Sequence, residues 1–138
     1  MDNRDFRHEC VRRGDVLILR VRGEFTLDDA RAYVAIRDQI GAEQNYLLLL
    51  IFASEATGMH PAARRYVAEH ATPHEGKNSA IAVVGAGAIL RGLLQLLFSA
   101  ITLLGRRPVF PSFVSDEATA LRFLDEQRQR IYKQLGRK

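Results

Sequence analysis

Between residues 15 and 22 the chain alternates with the period of a β-strand. Leu17, Leu19 and Val21 fall on one side and Val16, Ile18, Arg20 and Arg22 on the other. Upstream, Phe6, His8 and Cys10 alternate with Arg7, Glu9 and Val11, and Arg13-Gly14-Asp15 supplies turn chemistry, which predicts an antiparallel hairpin. Beyond Gly23 the period changes. Thr26 is placed to cap a helix with Asp28 and Asp29 in its first turn, and Tyr33, Val34, Ile36 and Ile40 carry an apolar stripe to about Gln44. Residues 46–52, YLLLLIF, are apolar without alternation and too few for a typical helix, the signature of a strand covered on both faces. Residues 80–84, AIAVV, repeat that signature.

Between these two strands, Pro61 opens a second helix that runs to about Ala71, with Ala63, Tyr66, Val67 and His70 on one face and Pro73 beyond its end. Gly85-Ala86-Gly87 leads into a third helix over residues 88–104, closed by Gly105. A last strand over residues 109–114 is held to a sheet edge by Pro108 and Pro111, because proline cannot donate to a ladder. Ser115 caps a final helix whose buried stripe is Ala118, Leu121, Leu124, Ile131 and Leu135. The order ββαβαβαβα predicts an α/β fold: a mainly parallel five-stranded sheet with an antiparallel N-terminal strand and four helices.

Composition narrows the class. The chain has 138 residues, 47% of them hydrophobic, and is expected to form a single domain over residues 1–138 with a core that needs no staples. One cysteine excludes an internal disulfide. The first 14 residues are charged and lack the apolar stretch of a secretion signal, and the longest apolar segment, residues 92–104, falls short of the roughly 20 needed to cross a bilayer. A soluble, cytoplasmic chain is expected. Arg outnumbers Lys 17 to 3, which genomic base composition explains without any phosphate ligand. The net charge of +4 is concentrated at the C-terminus, where Arg122, Arg128, Arg130, Lys133, Arg137 and Lys138 face only Asp125 and Glu126.

Four stretches together resemble the SpoIIAA-like branch of the STAS domains, the group named after sulfate transporters and anti-sigma factor antagonists. They are RGEFT (22–26), the buried YLLLLIF strand followed by AIAVVGAGAILRGLLQLL (80–97), and RRPVFPSFVSDEATALRFL (106–124). The resemblance covers nearly the whole chain and rests on order and spacing. In the phosphorylated antagonists an Asp-Ser-Ser/Thr-Gly motif ends the central strand, and its first Ser accepts phosphate. Glu55-Ala56-Thr57-Gly58 looks like a degenerate version with Ala56 at the acceptor position. The resemblance therefore implies a non-enzymatic regulatory or protein-interaction module working without that switch. Its interaction loop is Ser54, Glu55, Thr57, Gly58 and His60, and its partner is another protein or a second copy.

The third helix supports an alternative. Arg91, Gln95, Ser99 and Thr102 form one narrow polar stripe, so the helix is more apolar than packing on a sheet requires. Leu90, Leu93, Leu94, Leu97, Phe98 and Ile101 are candidates to meet an apolar ligand, a membrane or a second subunit. In a peripheral role at the inner membrane face, Arg128, Arg130, Lys133, Arg137 and Lys138 contact anionic lipid. Other chemistry is not supported. Gly85-Ala86-Gly87 lacks the third glycine of a dinucleotide fingerprint, Leu90 standing in its place. His70 and His74 are separated by a helix-breaking proline, Cys10 has no partner motif, and no Ser sits in GxSxG. No catalytic residue, cofactor or metal is expected. Nor is nucleic acid, since stacking aromatics are sparse near the basic residues.

Overall fold

The computed structural model describes residues 8–70, 78–103 and 111–136. Strands β1 (Glu9–Arg13) and β2 (Val16–Phe25) form the expected hairpin, with Arg13 opposite Val16 across Gly14-Asp15. Gly14 has φ of 62°, the left-handed conformation such a turn requires. Then come α1 (Leu27–Gln44), β3 (Leu47–Met59), α2 (Pro61–Glu69), β4 (Ser79–Val84), α3 (Ala88–Leu103), β5 (Ser112–Val114) and α4 (Glu117–Gln134). The sheet order is β1-β2-β3-β4-β5, antiparallel at the first pair and parallel at the rest.

Every parallel strand is added on the same side of its predecessor, so right-handed crossovers carry α1, α2 and α3 to one face of the sheet. That face is built from Leu17, Leu19, Val21, Leu47, Leu49, Ile81 and Val83. The alternate positions, Val16, Ile18, Leu48, Leu50, Ala80 and Ala82, meet α4 on the other face through Ala120, Leu124 and Ile131. Burial on both faces is why YLLLLIF shows no alternation. α4 covers the β3–β5 part of its face. The β1–β2 part is closed by polar pairs instead: Arg20 stacks over the Phe52 ring at 4.0 Å, and Arg22 reaches Glu55 at 3.1 Å and Glu9 at 3.6 Å.

Several details differ from the expectation. β3 does not end at Phe52. Its second half, Ala53–Met59, pairs with the far end of β2 across two register shifts, because β2 itself continues to Phe25 and offers a ladder that outweighs the weak strand propensity of Ser-Glu-Ala-Thr-Gly. The α4 cap is Asp116, whose carboxylate accepts the Thr119 N–H at 2.8 Å; Ser115 stands one residue too early to reach it. In the expected stripe of α4, Leu124 and Ile131 are buried, but Ala118 and Leu121 are exposed and Ala120 takes the inner place between them. Arg128 faces inward. Its guanidinium grips both oxygens of Asp15 at 2.7 and 2.8 Å and Asp125 at 2.8 Å, and Tyr46 donates to the same Asp15. This joins α4 to the β1–β2 turn. Burial works against the Asp15 carboxylate, but Arg128 and Tyr46 hold it below the usual range.

α2 ends at Glu69 with His70 as its C-cap, two residues short of the expected Ala71, and β5 begins at Ser112, just after Pro111; the Pro73 and Gly105 stops and residues 109–110 lie outside the described residues.

Candidate functional site

α3 seats on the first face of the sheet through one side of its circumference. Leu90, Leu94 and Leu97 recur at helical spacing toward the core, yet Leu97, 5% exposed, is its one buried side chain among those described. Beneath it lies a cavity of about 90 Å³. Leu90, Leu94 and Leu97 form its roof, Leu49, Ile81 and Val83 its floor, and it runs from Phe25 and Met59 at one end of the sheet to Leu47, Ser79 and Pro111 at the other. The walls are mostly apolar, and among the described residues Tyr33, Arg37 and Ser79 are those lining it with a polar side-chain group. A space of this size between a helix and a sheet is unusual in an interior packed as densely as a crystal.

Arg37 and Ser79 differ. The Arg37 guanidinium is buried and engaged: it donates to Asp38 Oδ1 at 3.0 and 3.2 Å and to the His70 carbonyl at 2.6 Å, where it satisfies the end of α2. Ser79, at the start of β4, is 3% exposed, and no hydrogen bond among the described residues reaches its hydroxyl. Arg37, Leu47 and Ser79 also line a second, larger cleft of about 400 Å³ whose outer wall includes Asp38, Asn45 and Asn78.

The outward side of α3 is apolar as well. Ile89, Leu96 and Leu103 are 80%, 57% and 87% exposed and stand seven residues apart, so they fall on one line. The apolar surplus of α3 is therefore real, and its exposed large members among the described residues are Ile89, Leu96 and Leu103. Leu90, Leu94 and Leu97 face the cavity, Leu93 is half-buried, and the side chains of Phe98 and Ile101 lie outside the described structure.

At the opposite end of β3, Ser54, Glu55 and Thr57 are exposed and Gly58 is partly so, on a strand rather than the expected loop. Gly85 packs against Ser54, where an added Cβ would come within 3.2 Å of the serine Cβ, and its φ of 78° suits glycine alone. His60 is exposed but occupied, its Nδ1 accepting the Ala62 N–H at 3.0 Å as the cap of α2. Ala56 is half-buried opposite Gly23.

The basic surface expected on α4 is reduced. Arg128 is committed to Asp15 and Asp125, whereas Arg130 and Lys133 are exposed on a face that also carries Asp125 and Glu126. Arg137 and Lys138 lie outside the described residues, as do His74 and Glu75. Among the described residues no cluster of three metal-ligating side chains occurs, and no described helix is long and apolar enough to cross a membrane. Burial pushes the Cys10 thiol up to about 11, which keeps it protonated and poorly nucleophilic at neutral pH.

Beside Arg37 and Ser79, a third buried polar group escaped the sequence reading. His8 is 3% exposed; its Nδ1 accepts the Arg22 N–H at 2.9 Å and its Nε2 donates to Asp29 Oδ2 at 2.9 Å. The same Asp29 oxygen accepts the Thr26 N–H and hydroxyl, completing a capping box. The alternation of His8 with Cys10 placed it on the inner side, but nothing in the local sequence announces a partner 21 residues away.

No model of a known protein family and no curated protein matches the chain. Solved structures do. An uncharacterized protein of the DUF3478 family with a SpoIIAA-like fold from Shewanella loihica PV-4 is 18% identical over 85% of this chain and 91% of its own, with a TM-score of 0.58. A sulfate transporter family protein from Wolinella succinogenes is 19% identical over 86% and 92%, with a TM-score of 0.59. The anti-sigma factor antagonist SpoIIAA in its unphosphorylated form aligns over 88% and 97% at 9% identity, with a TM-score of 0.53. Identities this low speak for architecture. With its five-stranded mixed sheet and four helices, the chain has the SpoIIAA-like fold of the STAS domains.

Proposed function

We propose that this chain is a non-enzymatic STAS-type binding module that takes an apolar molecule between α3 and the sheet. The observation that carries this reading is the apolar cavity of about 90 Å³ roofed by Leu90, Leu94 and Leu97. An apolar space gains contacts when an apolar guest fills it, and α3, held by a single buried side chain among those described, can rise to admit one. Cyclohexane is a fitting probe because it offers no polar group. Cyclohexane-saturated buffer is expected to raise the melting temperature by about 3 °C, the order of shift that ligand linkage gives a domain of this size. The Leu94→Phe variant, which adds bulk to the cavity roof, is expected to lose the shift. An unchanged melting temperature for the native chain would contradict the reading.

A second reading uses the other end of the sheet for protein contact. Ser54, Glu55, Thr57 and His60 are exposed together there, and Ala56 supplies no hydroxyl at the position where the antagonists accept phosphate. A partner docked on this face should be lost when Glu55→Lys reverses the charge, and the intact mass of the native protein should carry no phosphate. Retention of every partner by Glu55→Lys would argue against this face.

A further inference from the structure

The two spaces that meet at Ser79 say more about the guest than the cavity alone. Ser79, Leu47 and Arg37 line both the apolar cavity and the larger outer cleft, so one ligand can occupy the two at once. Ser79 stands where they join. A hydroxyl buried to 3% exposure with no hydrogen bond among the described residues is costly to leave unmade. A few convergent polar groups in a mainly apolar pocket are also what orient a ligand. Beyond it the cleft is more polar than the cavity, with Asp38, Asn45 and Asn78 among its lining residues.

The charge at this junction selects the head. Arg37 is the sole cation lining either space among the described residues, and it is already engaged with Asp38 and the His70 carbonyl. An incoming carboxylate would meet the Asp38 carboxylate while the guanidinium is matched; an uncharged head meets no such repulsion, a hydroxyl both donating to and accepting from Ser79 and a carbonyl accepting from it. Size restricts the tail. An engineered cavity of roughly 150 Å³ holds benzene, so about 90 Å³ takes one narrow chain before α3 must move.

We infer that the ligand is an uncharged single-chain amphiphile, with its hydroxyl or carbonyl head at Ser79 and the outer cleft and its alkyl chain beneath α3. This rests on the apolar-guest reading above. Calorimetric titration with octanol and with octanoate, at mildly alkaline pH where octanoate is ionised, tests it. The native chain is expected to bind octanol at least about tenfold more tightly than octanoate, and Ser79→Ala to weaken octanol binding by about tenfold. The same variant should keep the cyclohexane shift and, without ligand, melt no lower than the native chain, because it removes a buried hydroxyl that makes no hydrogen bond among the described residues. Binding and stability then move in opposite senses, which a merely structural serine would not produce. Octanoate binding as tightly as octanol, or octanol affinity unchanged in Ser79→Ala, overturns the inference. If cyclohexane still shifts the native melting temperature in that case, only the head-group assignment falls. If it does not, the apolar site falls with it.

Discussion

Replacing Asp29 by alanine is expected to lower the unfolding free energy by about 3 kcal/mol, measured by urea denaturation with the slope unchanged. Two losses combine. The capping box on Thr26 disappears, worth about 1 kcal/mol, and the buried His8 Nε2 loses its acceptor, worth on the order of 2 kcal/mol. The effect depends on pH. Burial opposes the Asp29 carboxylate, but bonds from the Thr26 N–H, His8 and the Thr26 hydroxyl outweigh it and hold the group below the ordinary carboxylate range. A depressed folded-state value contributes stability above the unfolded pKa of about 4, and that contribution is lost as the pH falls through the folded value. The gap between native chain and Asp29→Ala should therefore narrow on acidification below about pH 4. A gap that stays constant down to the acid transition would show that the carboxylate charge is not what Asp29 contributes.

A larger loss is expected at the centre of the sheet. Leu50→Ala should cost about 4 kcal/mol, because Leu50 is fully buried between Ile18 and Ala82 beneath α4, in a layer that backbone ladders on both sides prevent from collapsing. The contrast with α3 is informative. Leu97→Ala removes the same atoms, but it borders an existing cavity and sits on a helix that can settle toward the sheet, so its cost should fall near about 2 kcal/mol. Parallel denaturation of the two variants measures the difference. Equal costs would mean that α3 is as firmly seated as the sheet.

How far the fold was legible depended on which force set each element. Where burial alone decides, as in the YLLLLIF strand, the apolar pattern is sufficient, and β2, β4 and α1 follow for the same reason. Where a partner decides, it is not. The second half of β3 reads as a loop because Ser54-Glu55-Ala56-Thr57-Gly58 has little strand character of its own and is held by the end of β2. Arg128 reads as a solvent-facing cation because nothing local reveals Asp15, 113 residues away in sequence. The site was half legible. That α3 is too apolar for one packing face is written in its composition; which leucines roof a cavity and which face outward depends on a helical phase set by how α3 lies on β3 and β4. Ser79 carried no signal, since a serine at the start of a strand is ordinary until the space beside it is known.

Methyl-resolved NMR of the native chain titrated with cyclohexane tests the central claim most directly, because it asks where an apolar molecule goes. Guest contacts and shift changes are predicted at Leu90, Leu94, Leu97, Ile81 and Val83, which surround the cavity, with Ile89, Leu96 and Leu103 little affected. Changes confined to Ile89, Leu96 and Leu103, or none at all, would contradict it.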